Sequence, residues 1–208
     1  MSNETIDFRR IARESRETLF NTKEYFSSIS LEGGYAEPVI KAAIYGTVAG
    51  LFSLLWSVTG LYNYDFGFMD GVLGIMALVW SIVGAIVGVF IGGALMLLVS
   101  AICGGNTDYE ANVRVAASLM VVYPINTFFA FLNGISITLG SMAGLVISLY
   151  SITLIYYASI HALKGKESSV RIVAIVLVVL VMLGAMGGYK ASKTMENMDD
   201  MFEQEKLD

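Results

Sequence analysis

VLGIMALVWSIVGAIVGVFIGGALMLLVSAIC, Val72 to Cys103, is a 32-residue stretch without a single charge. At 1.5 Å rise per residue it would make a helix about 48 Å long, against a hydrocarbon core about 30 Å thick. A straight helix would need about 50° of tilt, beyond the usual range of about 0–40°. The stretch therefore protrudes, kinks or splits, and Gly92-Gly93 is the expected kink because paired glycines loosen a helix. Charge is missing elsewhere too, between Lys41 and Asp65, Arg114 and Lys164, and Arg171 and Lys190. The whole 208-residue chain is 56% hydrophobic and 15% charged, with mean hydropathy +0.68. Soluble domains carry roughly 45–50% apolar and about 25% charged residues. This is the composition of a polytopic membrane protein.

Working outward from that stretch gives five spans: about 39–61, 72–103, 113–132, 135–160 and 168–188. The long gap after Arg114 is divided at Asn133-Gly134, and Pro124 removes a backbone bond inside the third span. Asn126 and Thr127 stand where they can satisfy carbonyls freed by that proline. Small residues recur at four-residue spacing at Gly46 and Gly50, at Gly84, Gly88 and Gly92, and at Gly140 and Gly144, with Gly184 and Gly188 ending the last span. Such ridges let helix backbones approach closely in lipid. Tyr123, Asn126 and the hydroxyls of the spans are expected to hydrogen-bond between helices. Tyr62, Tyr64, Tyr156 and Tyr157 fit interfacial belts, and Lys41 can snorkel to headgroups.

Residues 1–38 hold twelve charges and no apolar core, which argues against a cleaved signal peptide. They read as amphipathic helices, either lying at the membrane interface or packed on the protein's own loops. Within them Asn21 and Glu24 spell a capping box, with Phe20 positioned to staple onto Tyr25. Residues 189–208 form an acidic tail that can continue the last helix. With the N-terminus inside, ten of the thirteen Lys/Arg fall inside and three outside, so the positive-inside rule favours N-in, C-out. A six-span reading gives nine and four.

Most chemistry is excluded by what is missing. One cysteine (Cys103) and one histidine (His161) leave no thiolate or two-histidine metal site, and no cofactor is expected. The five spans as drawn contain no Asp or Glu, which removes the residues that proton pumps, coupled transporters and paired-aspartate proteases require. Cys103 reads best as a span-end apolar residue, with lipidation of a juxtamembrane cysteine as the alternative. The net charge of −5 gives no reason to expect nucleic acid. No catalytic residue is assigned.

Three stretches carry a resemblance. They are LFNTKEYFSSISLEGGYAEPVIKAAIYG (Leu19–Gly46), CGGNTDYEANVRV (Cys103–Val115) and YYASIHALKGKESSVRIVAIVL (Tyr156–Leu177). Their order and spacing resemble the Yip family of Ypt/Rab-interacting membrane proteins, in particular its prokaryotic branch. Thr22 stands where many members have proline, and Ser118 where many have tyrosine. The resemblance implies a five-span, non-enzymatic protein whose eukaryotic relatives act in membrane traffic. The brief N-terminal segment lacks the long polar extension of those relatives, which weakens the expectation of small-GTPase binding. The expected role is a membrane-organising or partner-binding scaffold in a prokaryotic cell membrane. Its partners would be lipid, other membrane proteins or a second copy. Tyr109, Glu110 and Arg114 form the candidate junction, the alternative being that Arg114 only anchors its helix end. A channel or a lipid or small-solute transporter is the competing function.

Overall fold

The computed structural model describes residues 8–61 and 73–205, and every regular element among them is helical. Two short helices, α1 (Phe8–Phe20) and α2 (Thr22–Ser28), precede α3 (Ala36–Val58) and α4 (Leu73–Ile102). The next span is built from three pieces, α5 (Tyr109–Leu119), α6 (Val122–Phe129) and α7 (Phe131–Ile135). Then come α8 (Ile137–Tyr157), which runs into a π-helical turn at Ala158–Ala162, and α9 (Glu167–Glu205). Among the described residues five stretches are long and apolar enough to cross a membrane: Ala36–Val58, Leu78–Ile102, Tyr109–Ile135, Ile137–Ala162 and Glu167–Gly188. Tyr62 and Tyr64 lie outside the described residues.

α3, α5 and α9 start earlier than the apolar runs, because their first turns are polar. Asp108 accepts a hydrogen bond from the Ala111 N–H at 2.8 Å and so caps α5 four residues before Val113. Glu37, Glu110 and Glu167 occupy first turns, where a carboxylate complements the positive helix end. The folded spans therefore carry acids in their first turns, which the spans drawn from sequence left just outside. At Asn21 the reading was half right. It is the N-cap of α2 but makes no side-chain cap, and Phe20 is exposed rather than stapled. The reason is that α1 ends directly before it. The Asn21 N–H donates to the Glu17 carbonyl and its own carbonyl accepts from Tyr25, making it a bend within one helical run.

The long second run is one unbroken helix through Gly92-Gly93. Gly93 serves contact instead: a Cβ there would overlap the side chain of Val113 and approach its Cα at 2.9 Å. Pro124 acts upstream of itself. Its ring opposes the carbonyl four residues back, that of Met120, and the chain breaks between α5 and α6 at Met120-Val121. The Met120 carbonyl is instead taken up by the Tyr123 N–H at 2.9 Å. The corner before α8 falls at Ser136, in extended conformation, and not at Asn133-Gly134. Gly134 lies within α7, where a Cβ would collide with the backbone of Leu61, and Gly140 leaves room for the Asn133 amide.

The core sits toward one end. Residues Ala111 to Ser118 of α5 are all buried, packed between α3, α4 and the α1–α2 pair. On α3 the buried face is Ala42, Tyr45, Gly46, Ala49, Gly50 and Ser53, a helical stripe that lies against Ser81, Ala85 and Val89 of α4. α9 stands apart by comparison, packing mainly on α8 and remaining largely uncovered through Gly188.

Candidate functional site

All three stretches singled out in the sequence meet at the core end of the bundle. Gly33 and Gly34 turn the chain between α2 and α3 with φ of 128° and 80°, a region that favours glycine. Arg114 reaches into that turn from α5. Its Nε donates to the Ser30 carbonyl at 2.8 Å, Nη1 to the Gly34 carbonyl at 3.0 Å and Nη2 to Glu37 Oε2 at 2.5 Å. Glu110, one helical turn earlier, accepts the Gly34 N–H at 2.5 Å. Glu110 and Arg114 thus hold both polar groups of one glycine. Tyr109 sits beside them, donating to the Phe90 carbonyl at 2.9 Å and flanking Tyr35.

Glu37 then connects two further cations. Lys41 Nζ lies 3.2 Å from Glu37 Oε1 and 2.7 Å from Glu14 Oε2, while Arg10 reaches both acids. The result is a chain Arg114–Glu37–Lys41–Glu14–Arg10 that ties α5, α3 and α1 together. Tyr25 of α2 joins it, its hydroxyl 2.8 Å from Ser118 Oγ and accepting from Lys41 at 3.5 Å. Arg114 and Lys41 are only 6% and 5% exposed. Lys41 therefore does not snorkel outward. A buried ammonium is tolerable only with paired acids, and Glu14 and Glu37 supply them. The spacing of Glu37 and Lys41, four residues apart at the start of an apolar helix, is the signal that could have revealed this pairing. Beside the chain lies a cleft of about 250 Å³ bordered by Arg13, Glu17, Ser28 and Ile29.

The other two stretches interlock at the same end. The Asn106 N–H donates to the Leu163 carbonyl at 2.7 Å and the Lys166 N–H to the Cys103 carbonyl at 2.9 Å. Gly105 is wedged there, where a Cβ would stand 2.7 Å from the Leu163 carbonyl. Cys103 is 1% exposed and burial pushes its thiol pKa up, so it packs as a span-end apolar residue rather than as an accessible lipidation site. His161 stacks on Tyr157 at 5.9 Å. Among the described residues no three His, Cys, Asp or Glu are grouped to hold a metal.

A family model described as Yip1 domain matches residues 16–188. The chain belongs to the Yip1 domain family. No curated protein and no solved structure matches it. The Yip1 domain as matched runs from the middle of α1 to the end of the last apolar stretch of α9. Glu37, Lys41 and Arg114 fall inside it, whereas Arg10 and Glu14 lie before it.

Within the Yip1 domain the glycines divide sharply. A Cβ at Gly46 would meet Ala85 Cβ at 2.7 Å, and one at Gly50 would meet Leu78 Cδ1 at 2.7 Å. Gly92 lies 3.4 Å from Ala116 by the same measure. Gly84, Gly88 and Gly144 face open space, and a Cβ at Gly184 or Gly188 would likewise enter open space. The expected ridge on α4 is displaced: the face buried in the chain is Ser81, Ala85, Val89, Gly93, Met96 and Ser100, one residue round from Gly84 and Gly88. Tyr123 hydrogen-bonds Ser81 Oγ at 3.1 Å, and Ser81 in turn donates to the Gly46 carbonyl. Asn126 is exposed and does not support the proline break; Thr127 donates to the Tyr123 carbonyl at 3.1 Å.

Proposed function

We propose that this Yip1-domain protein is a non-enzymatic scaffold of a prokaryotic cell membrane, organising the membrane or binding a protein partner through its N-terminal helices. The observation that carries this reading is the latch itself. Arg114, Glu37, Lys41 and Glu14 fasten α1 and α2 onto the membrane bundle, and Tyr150 adds a hydrogen bond to the Leu19 carbonyl. The fastened module still presents Phe8 and Phe20, 65% and 78% exposed, and Arg13 beside them. Aromatic and arginine side chains on a rigid support suit partner recognition. The latched end carries ten of the thirteen Lys/Arg, and this bias supports a cytoplasmic N-terminus with the C-terminus outside.

Site-specific photocrosslinking from position 20 of the full chain in native membrane tests this. A discrete protein adduct that disappears with Phe8→Asp is the expected result, and adducts confined to lipid overturn it. The competing reading, a lipid or small-solute transporter, draws on the exposed Asn126 within a span. Liposome flux lost on Asn126→Leu would favour it over the scaffold.

A further inference from the structure

A groove of about 360 Å³ runs between α8 and α9, lined by Leu149, Ile152, Thr153, Tyr156, Ile175 and Val179, with Arg171 at its mouth. We propose that it holds one acyl chain of an anionic bilayer phospholipid, with the lipid phosphate at Arg171. This goes beyond the scaffold reading and does not rest on it.

The floor and the mouth of the groove have opposite chemistry, as an amphiphile requires. From Arg171 to Val179 is eight residues of helix, or about 12 Å of apolar depth. Both walls belong to candidate membrane spans. α9 packs on the rest of the bundle mainly through α8, so the groove opens sideways, where lipid would lie. At the mouth, Arg171 pairs with Glu167 at 2.9 Å, with side chains 66% and 62% exposed. An exposed i,i+4 pair of this kind is weakened by solvent and salt, so a phosphate competes with it readily. The guanidinium fork matches phosphate oxygens two at a time. Lys164 and Lys166 are exposed in the loop just before Glu167, leaving the segment 164–171 with three cations and one acid. Tyr156 and the Tyr157–His161 stack stand at the same level, where amphipathic rings favour the headgroup region. The outward face of α4 offers a contrast: Val83, Val87, Ile91 and Leu95 are exposed with no cation among them, and only ordinary solvating lipid is expected there.

The full chain, reconstituted in vesicles doped with phosphatidylglycerol or phosphatidylcholine carrying a photoreactive acyl chain, tests the site by mass-spectrometric mapping. Phosphatidylglycerol adducts concentrated in 149–156 and 171–179, about tenfold above phosphatidylcholine, are expected for one charge-assisted contact. Arg171→Gln should erase that preference. Ala174 also lines the groove, and Ala174→Trp should remove groove adducts of both lipids while Cys103 stays protected from thiol reagents, showing an intact fold. Adducts spread evenly onto α4, equal labelling by both lipids, or an unchanged Arg171→Gln would overturn the proposal. So would displacement of the phospholipid by a free fatty acid probe, which assigns the groove to a different amphiphile. Because no protein partner enters the assay, its failure leaves the scaffold reading standing, and the reverse also holds.

Discussion

Arg114 is buried, and its three donors end on three different acceptors, two of them carbonyls of the Ser30–Gly34 turn. Losing one partner of a buried pair costs about 3–5 kcal/mol, because the other charge stays desolvated. Glu37 is 31% exposed at its side chain, so the lower end applies. Arg114→Gln should thus destabilise by about 3 kcal/mol, or roughly 6–12 °C in melting temperature for a chain of this size. Arg114→Lys keeps the charge but cannot span the three acceptors, and should fall between the two. The protein carries its own reporter. Cys103 is its one cysteine and is buried, so the temperature at which it reacts with a thiol dye reads the loss of structure directly. Equal melting of Arg114→Gln and the parent would show that the residue only marks the membrane surface.

At the scale of elements, spacing alone does not tell which glycine face is used. Gly46→Leu or Gly93→Leu drives atoms into Ala85 or Val113 and should cost several kcal/mol, above the about 1–3 kcal/mol of ordinary overpacking, since backbone is struck as well. Gly84→Ala and Gly88→Ala add a methyl to open space and should change stability by less than about 1 kcal/mol, toward stabilisation, because alanine is the better helix former. The same dye-reaction melts separate the two classes. A collapse of Gly84→Ala would mean that face is covered by something outside the chain. This contrast also marks what was legible in the sequence. Five helices followed from charge gaps and length, because the hydrocarbon core sets a ruler that composition must obey. Arg114, Tyr109 and Glu110 stood out together because charge and aromaticity converge at a span end, and the fold brings Arg114 and Glu110 onto Gly34. Lys41 and Glu37 were legible as an i,i+4 pair but not as a buried one, since a lysine at a span end looks the same whether it snorkels or turns inward. Glu14, 27 residues from Lys41 in the chain, decides that, and only the tertiary fold brings it near. Likewise a ridge of glycines at 84, 88 and 92 and one offset by a single residue have the same period, and the rotation of α4 about its axis is fixed by Ser81, Ala85 and Val89.

For the whole molecule, the fold gathers charge asymmetrically before any membrane is considered. The start of α3, the end of α4, the start of α5, the end of α8 and the start of α9 lie together with α1 and α2, held by the latch and by the Asn106–Leu163 and Lys166–Cys103 bonds. Arg9, Arg10, Arg13, Arg16, Lys23, Lys41, Arg114, Lys164, Lys166 and Arg171 all belong to this end, against Lys190, Lys193 and Lys206 beyond the last span. Cationic residues near span ends resist translocation, so this end should stay in the cytoplasm. An odd number of spans then sends the C-terminus across. A C-terminal alkaline phosphatase fusion should be active and a C-terminal fluorescent fusion dark. The reverse outcome would demand an even number of crossings, and the described helices offer one way to get it, namely α9 lying along the surface. Four lysines added after Asp208 provide the sharper control: if charge bias alone sets the orientation, they should shift part of the population to C-in. If the latch also fixes it, a double variant that adds Arg114→Gln should shift more of the population than the lysines alone.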